Sequence, residues 1–464
     1  MRTERDFLGQ RTLPTDCLYG IETLRARENF PLAGRSANRS LLHAIALVKR
    51  CAAQANAAIG ALDQEKAAAI CAACDELIAG KYDESLVTDA LQGGAGTSTN
   101  MNVNEVAANL ALKKLGMAAG RYDVISPLDD VNMGQSTNDV YPTALRIAAI
   151  TAVRALSDQC AALQEALQRR EQEFAGIVKL GRTELTDAVP VTLGQEFGAY
   201  AQAIARDRWR IYKSEERLRM VNIGGTAVGA PQFMPENAAR RQYAFQIIAL
   251  LQEQTGIGLA RAEYPMDVTQ NQDVFAEVSG FLKALAVNLM KLCGDLRLLS
   301  SGPHGGLGEL RLAPLQAGST IMPGKVNPVI PEAVTQAAIR VMANDTAIAF
   351  AAASGNLELN AFMPLIADSL LESLELLVNA VKMLREKCID TLSADPARCL
   401  KNLTGSPTWY ATVLAPHIGY AKAAALLAQT GADAEKIKTA VLAENLLSAE
   451  LLDALLDAAK FDTI

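Results

Sequence analysis

Residues 318–328 read GSTIMPGKVNP, a run that sets a hydroxyl, a cation and an amide among three backbone kinks. Gly318, Pro323 and Gly324 allow a chain that bends and moves. Ser319 is a candidate base, Lys325 its electrostatic partner, and Asn327 an amide donor. An ordinary surface loop has no need of that combination.

Three further polar loops interrupt the chain. GGAGTSTNMNVNE, residues 93–105, places Thr97, Ser98, Thr99 and Asn100 ahead of a helix, and GQSTNDVYP, residues 134–142, repeats the arrangement with Ser136, Thr137 and Asn138. Hydroxyls and free backbone N–H groups at a helix start suit an anion. The same residue types are also the usual helix caps. GRTELTDAVPVTLGQE, residues 181–196, offers Thr183 and Glu184 beside Arg182 and Asp187, as site groups or as a charge-paired turn before a long helix.

Long helices must position these loops. Val274, Val278, Phe281, Leu285, Leu289, Leu292, Leu296 and Leu299 mark one face of a helix roughly 40 Å long. Phe197, Tyr200, Ile204, Ile211 and Leu218 repeat the pattern earlier, Leu370, Leu374, Leu377 and Val381 later, and residues 141–175 read as helix too. The spacing predicts a helix bundle, with flanks that bury themselves in an oligomer. Three segments are expected: 1–140, short elements mixed with helices; 141–394, the bundle; and 395–464, a small helical tail. Strand signals are few and short.

Composition excludes several classes. The 464 residues are half hydrophobic, rich in alanine and leucine, with a net charge of -7 from 44 basic and 51 acidic residues. No basic run stands out, so no nucleic-acid partner is expected. No run of 18 apolar residues predicts a membrane span, and the charged N-terminus lacks the apolar segment of a signal peptide. Eight scattered cysteines point to reduced thiols in the cytoplasm. Cys71 and Cys74 form a C-x-x-C pair, but no second pair or nearby histidine supports a metal, and shared position on one helical face explains the spacing.

Taken together, the four loops resemble the fumarase/aspartase superfamily. GSTIMPGKVNP closely resembles that family's mobile loop, and GTSTNMNVNE, GQSTNDVYPT and GRTELTDAVPVTLGQE match its other site regions in the same order. The stretches ERDFLGQRTLPTDCLYGIETLRARENFP and VFAEVSGFLKALAVNLMKLCGDLRLLSSGP extend the resemblance over nearly the whole chain. The forms AGTST and ETLRARENFP look more like aspartate ammonia-lyases than fumarases. The resemblance implies an all-α, three-domain fold with a long central helix bundle. It also implies a homotetramer with a shared helical core, active sites built from three subunits, and no organic cofactor; no metal ligand is read from the sequence.

It further implies anti elimination of an amine from an amino acid, aspartate first. Ser319 would be the base, acting as an alkoxide held by backbone N–H groups, Lys325 and loop closure. Thr97, Ser136, Thr137 and Thr320 would hold the carboxylate that becomes the enediolate. Lys325, Asn327 and Thr183 would bind the other carboxylate, and Asn138 with Thr97 would face the amino group. Glu332 reads equally as a site residue or a helix-start residue.

Three departures bear on the substrate. Glu184 stands where fumarases and some aspartases have His, which favours a cationic leaving group over a neutral hydroxyl. The stretch 224–239 leaves the family pattern after Gly229 and is more apolar. Thr320 replaces a serine and keeps the hydroxyl. Alternatives are therefore an amine lyase on another substrate, such as an ergothioneine-type betaine losing trimethylamine, then a fumarase, then an inactive structural relative. The last would be expected to have lost Ser319 or Lys325.

Overall fold

The computed structural model describes residues 1–230 and 237–457. Helices dominate, as the alanine- and leucine-rich composition predicts. They are α1 Ile21–Asn29, α2 Arg39–Ala58, α3 Gln64–Ile78, α4 Thr97–Lys114, α5 Thr137–Glu173, α6 Leu193–Leu218, α7 Asn237–Thr255, α8 Pro265–Gln270, α9 Asp273–Leu299, α10 Val329–Ala353, α11 Met363–Leu384, α12 Pro396–Thr404, α13 Pro407–Ile418, α14 Tyr420–Thr430, α15 Ala434–Ala443 and α16 Ala449–Leu456. Among the described residues, strands form only two-stranded pairs. The hairpins are β1 Arg2–Asp6 with β2 Gly9–Leu13, and β3 Val178–Thr183 with β4 Thr186–Thr192. Two-residue pairs join β5 Met220–Val221 to β6 Ala260–Arg261 and β7 Leu310–Arg311 to β8 Ser393–Ala394. The fold is all-α in class.

The chain forms two compact units. One comprises Met1–Ser157, Trp209–Ala284 and Ile339–Val378; the other comprises Asp158–Arg208, Leu285–Ala338 and Asn379 onward.

In the first unit, α2 packs against α3, α4 and α7. Its alanines let backbones approach while Leu41, Ile45 and Val48 fill the space between. α4 is buried on every side from Thr99 to Leu112, polar residues included. Several of those polar groups bond neighbouring backbone. Asn102 accepts from Val87 N (2.8 Å), Asn109 accepts from Gly120 N (2.8 Å), and Glu105 accepts from Gly20, Glu22 and Thr23 N–H at the start of α1. A buried helix of this composition survives because its side chains satisfy neighbouring backbone.

The face predicted over residues 274–299 falls on α9, with a local correction. Val274 and Phe281 are half-buried, and Phe275 and Leu282 take the core positions instead. Apolar side chains stand at both neighbouring positions, and packing selects the pair one residue on. Phe275 also carries the Arg146 guanidinium 4.8 Å over its ring. The predicted faces of α6 and α11 are buried as expected.

In the second unit, α12 to α16 gather around Trp409, Tyr410, Leu414, Leu426 and Ile437, with Leu180 of β3 in the same cluster. Cys71 and Cys74, in the first unit, lie on α3 as free thiols, both pushed up by burial, Cys71 to about 11. Among the described residues no helix is long and apolar enough to cross a membrane. Residues 231–236 of the variant stretch lie outside the described residues.

Candidate active site

Two of the four loops belong to the first unit. Gly96, at φ +95°, ends the 93–96 turn and starts α4. A Cβ there would stand 2.4 Å from Cδ2 of buried Tyr141, so only glycine lets α4 start against α5. The Thr97 hydroxyl is exposed and donates to Gly94 O at 2.7 Å, so a carboxylate must compete with that carbonyl for its proton. Thr99 is buried and committed to Gln92, through its N–H (3.0 Å) and its hydroxyl (2.8 Å).

The second loop is a reciprocal cap. Ser136 Oγ accepts from Asn138 N (3.2 Å), and Asp139 Oδ1 accepts from Ser136 N (2.9 Å). Ser136 therefore keeps its own proton to donate. Asp139 Oδ2 also accepts from Gly224 N (3.0 Å) and Thr226 N (2.9 Å). It is fully buried, and burial pushes its carboxyl up to about 7 against those bonds.

Pro142 lies inside α5 and gives no N–H to the carbonyl of Asn138. Asn222 Nδ2 donates to that carbonyl instead, at 2.9 Å, while Asn138 Nδ2 donates to Ala227 O at 2.8 Å. The start of α5 is thus stitched to the 222–227 segment. Below it, the buried Lys49 ammonium donates to Asn132 Oδ1 (2.7 Å) and Gln135 Oε1 (2.8 Å), and Asn100 and Asn104 of α4 donate to the same Asn132 oxygen. The structure therefore brings Thr97, Ser136, Thr137 and Asn138 onto one braced assembly.

The other two loops belong to the second unit. Thr183 and Glu184 lie at the tip of the β3–β4 hairpin, both exposed, with Glu184 at φ +53° and Leu185 at +62°. Two left-handed residues suit the tight turn, though neither is glycine. Arg182 does not pair with Asp187 in the turn. Its guanidinium grips Glu309 through Nη2 (2.7 Å) and Nη1 (3.2 Å). Lys179, also buried, bonds Glu196 (2.6 Å) and lies 3.2 Å from the same Glu309. Burial acts to raise Glu309, but Arg182, Lys179 and Asn402 together hold it below the usual carboxylate range.

The 318–328 loop closes on itself. Gly318 N donates to Lys325 O (2.8 Å) and Asn327 Nδ2 to Gly318 O (2.7 Å), so Asn327 latches the loop. A Cβ at Gly318 would meet Lys325 O at 2.6 Å. Ser319 Oγ accepts from Ile321 N (3.2 Å) and Met322 N (3.0 Å). Ser319 and the exposed Lys325 line one surface recess of about 390 Å³. Thr320 is exposed. Glu332, in the first turn of α10, lies 3.9 Å from Arg297.

Lys49, Asn222 and Glu309 lie outside the four motifs, and Asp139 lies within GQSTNDVYP without having been singled out. Lys49 left a weak signal, a charge beside Arg50 among the mostly apolar residues of ALVKRCAAQAN. Asn222 and Glu309 left none, because their partners are remote in sequence.

Comparison with known proteins gives the family. Residues 9–343 match the family described as lyase, and residues 411–461 match the fumarase C C-terminus. An aspartate ammonia-lyase of Pseudomonas aeruginosa is 46% identical over 422 residues, covering 90% of this chain and 88% of that protein. Another from a Bacillus species is 41% identical over 457 residues, covering 98% and 96%. The crystal structure of fumarate lyase:delta crystallin from Brucella melitensis bound to cobalt superposes with a TM-score of 0.92 at 44% identity, covering all of both chains. The chain belongs to the lyase family of aspartases and fumarases.

Proposed function

We propose that this protein is a carbon–nitrogen lyase that converts L-aspartate to fumarate and ammonia, with Ser319 as the base. The observation that carries the base assignment is the pair of backbone N–H groups on Ser319 Oγ, together with Lys325 on the same recess. A serine oxygen that receives two N–H bonds beside a cation has its alkoxide stabilised.

The alkoxide takes a proton from the carbon beside one carboxylate. The electron pair moves onto that carboxylate, which becomes an enediolate with a second negative charge. Its collapse forms the carbon–carbon double bond and expels the amine from the neighbouring carbon. Ser136, Thr137, Thr97 and Thr320 hold the enediolate carboxylate. Lys325, Thr183 and Asn327 hold the other carboxylate. Asn138, with Thr97, faces the amine, and Glu184 favours its cationic form.

The same reading includes a homotetramer, sites shared among three subunits, a cytoplasmic location and the segment boundaries near residues 140 and 394. Exposed apolar side chains along the long helices, Val287 and Leu298 on α9 and Ile339 and Phe350 on α10, support further packing between copies.

The test is ultraviolet absorbance of the conjugated double bond, with L-aspartate, L-malate and an ergothioneine-type betaine as parallel substrates. Fumarate from aspartate alone is expected. Silence with aspartate and product from the betaine or malate overturns the assignment.

A further inference from the structure

Neither carboxylate-binding loop of the first unit contains a lysine or arginine: residues 93–105 and 134–142 offer only hydroxyls, amides and acids. A carboxylate that gains a second negative charge there needs a positive field close by. The cation hydrogen-bonded to this assembly is Lys49, in the middle of α2, with no exposed surface. We infer that Lys49 is a positioning residue for the elimination, supplying from below the loops the positive charge that favours the enediolate carboxylate. This rests on the reading of Thr97, Ser136 and Thr137 as that carboxylate's ligands.

The geometry is specific. Asn132 Oδ1 receives Lys49 Nζ at 2.7 Å and the amides of Asn100 and Asn104 at 3.2 Å each. One oxygen therefore ties α2, Asn100 and Asn104 of α4, and the segment that leads into Ser136. Gln135, the residue before Ser136, takes a second Lys49 bond at 2.8 Å. A lysine buried for packing alone has no reason to sit at this junction, since burying its charge is costly. Asp139 from α5 and Cys74 from α3 are the titratable groups that face it, and burial holds its ammonium down to about 7. A dianion arriving above the loops favours the protonated form.

Two substitutions remove this charge by different routes. Lys49→Met deletes it. Asn132→Asp keeps an acceptor for all three donors and sets a carboxylate against the ammonium, giving up only the 3.3 Å bond from Asn132 Nδ2 to Gln135 O. Both are expected to lower kcat about tenfold or more with a smaller change in KM, because the charge acts mainly on the enediolate. The Asn132→Asp enzyme should keep the parent's melting temperature, and it decides the matter if Lys49→Met does not fold. Folded Lys49→Met or Asn132→Asp enzyme with kcat within about twofold of the parent overturns the inference. Ser136→Ala, assayed alongside, separates the two levels. If it leaves turnover unchanged, the ligand assignment has failed and the inference falls with it. If it impairs turnover while the other two do not, only the role of Lys49 is lost.

Discussion

Glu309→Gln tests whether a buried ion cluster holds the hairpin that carries Thr183 and Glu184. The carboxylate has no exposed surface, accepts from Arg182 twice and from Asn402 at 2.9 Å, and lies 3.2 Å from the Lys179 ammonium. Glutamine keeps the shape but turns one acceptor into a donor. That donor then faces Lys179 Nζ and an Arg182 N–H, two cations with less to neutralise them. Removing one partner of a buried pair costs about 3–5 kcal/mol. Lys179 retains Glu196 at 2.6 Å and Arg182 is partly exposed, so the low end, about 3 kcal/mol, is expected. Against a total stability of about 5–15 kcal/mol, such a loss is readily measured.

Trp409 is the reporter. It is fully buried in the cluster that includes Leu180, next to Lys179, and a Trp209→Phe background removes the exposed second tryptophan. Urea unfolding followed by fluorescence should show the loss. The pH dependence is fixed in sign. Glu309 titrates lower in the folded chain than when unfolded, so its contribution is complete above the unfolded value and is lost as pH falls through the folded one. The gap between parent and variant should therefore stay level from about pH 5 to 8 and close only in stronger acid. A gap under about 1 kcal/mol at neutral pH would refute the reasoning.

Ser319→Ala should abolish turnover while a non-reactive dicarboxylate still binds; turnover above about a hundredth of the parent rate removes Ser319 as the base. Lys325→Ala should raise KM and lower kcat together, and unchanged steady-state kinetics would contradict its place in the recess. Gly96→Ala puts a methyl 2.4 Å from the Tyr141 ring at a left-handed φ, and should cost about 2 kcal/mol or more of stability, read from the melting temperature. A melting temperature equal to the parent's would mean that the start of α4 can shift.

The long helices were legible because their period survives in the apolar residues. Phe197, Ile204, Leu218, Leu370 and Leu377 are buried where the spacing put them. The error on α9 shows the limit of that signal. Phe275 and Phe281 are six residues apart, each beside another apolar residue, and only the packed partners choose between them. The 318–328 loop stood out for a different reason, since a hydroxyl, glycines, a lysine and an amide in that order are not called for by the apolar period of the helices on either side. What the motifs could not reveal is how the four loops are held. Pro142 announces a broken bond in α5, but nothing in the local sequence says that Asn222, eighty residues on, repairs it. Arg182 and Asp187 suggested a pair inside their own turn, yet Arg182 crosses to Glu309.

These braces share one physical pattern. Lys49, Asp139 and Glu309 are charged side chains without exposed surface, each fixed by several hydrogen bonds to a loop or hairpin that carries candidate site residues. Buried charge is a poor way to gain stability, because desolvation offsets most of the attraction. It is a good way to fix geometry, because a half-satisfied network is so costly that few alternatives compete. Elimination through an enediolate needs that kind of rigidity, since donors help only if they already point where the charge will develop. The polar tips Thr97, Ser136 and Thr183 can therefore be short and partly exposed, provided the charges behind them do not move.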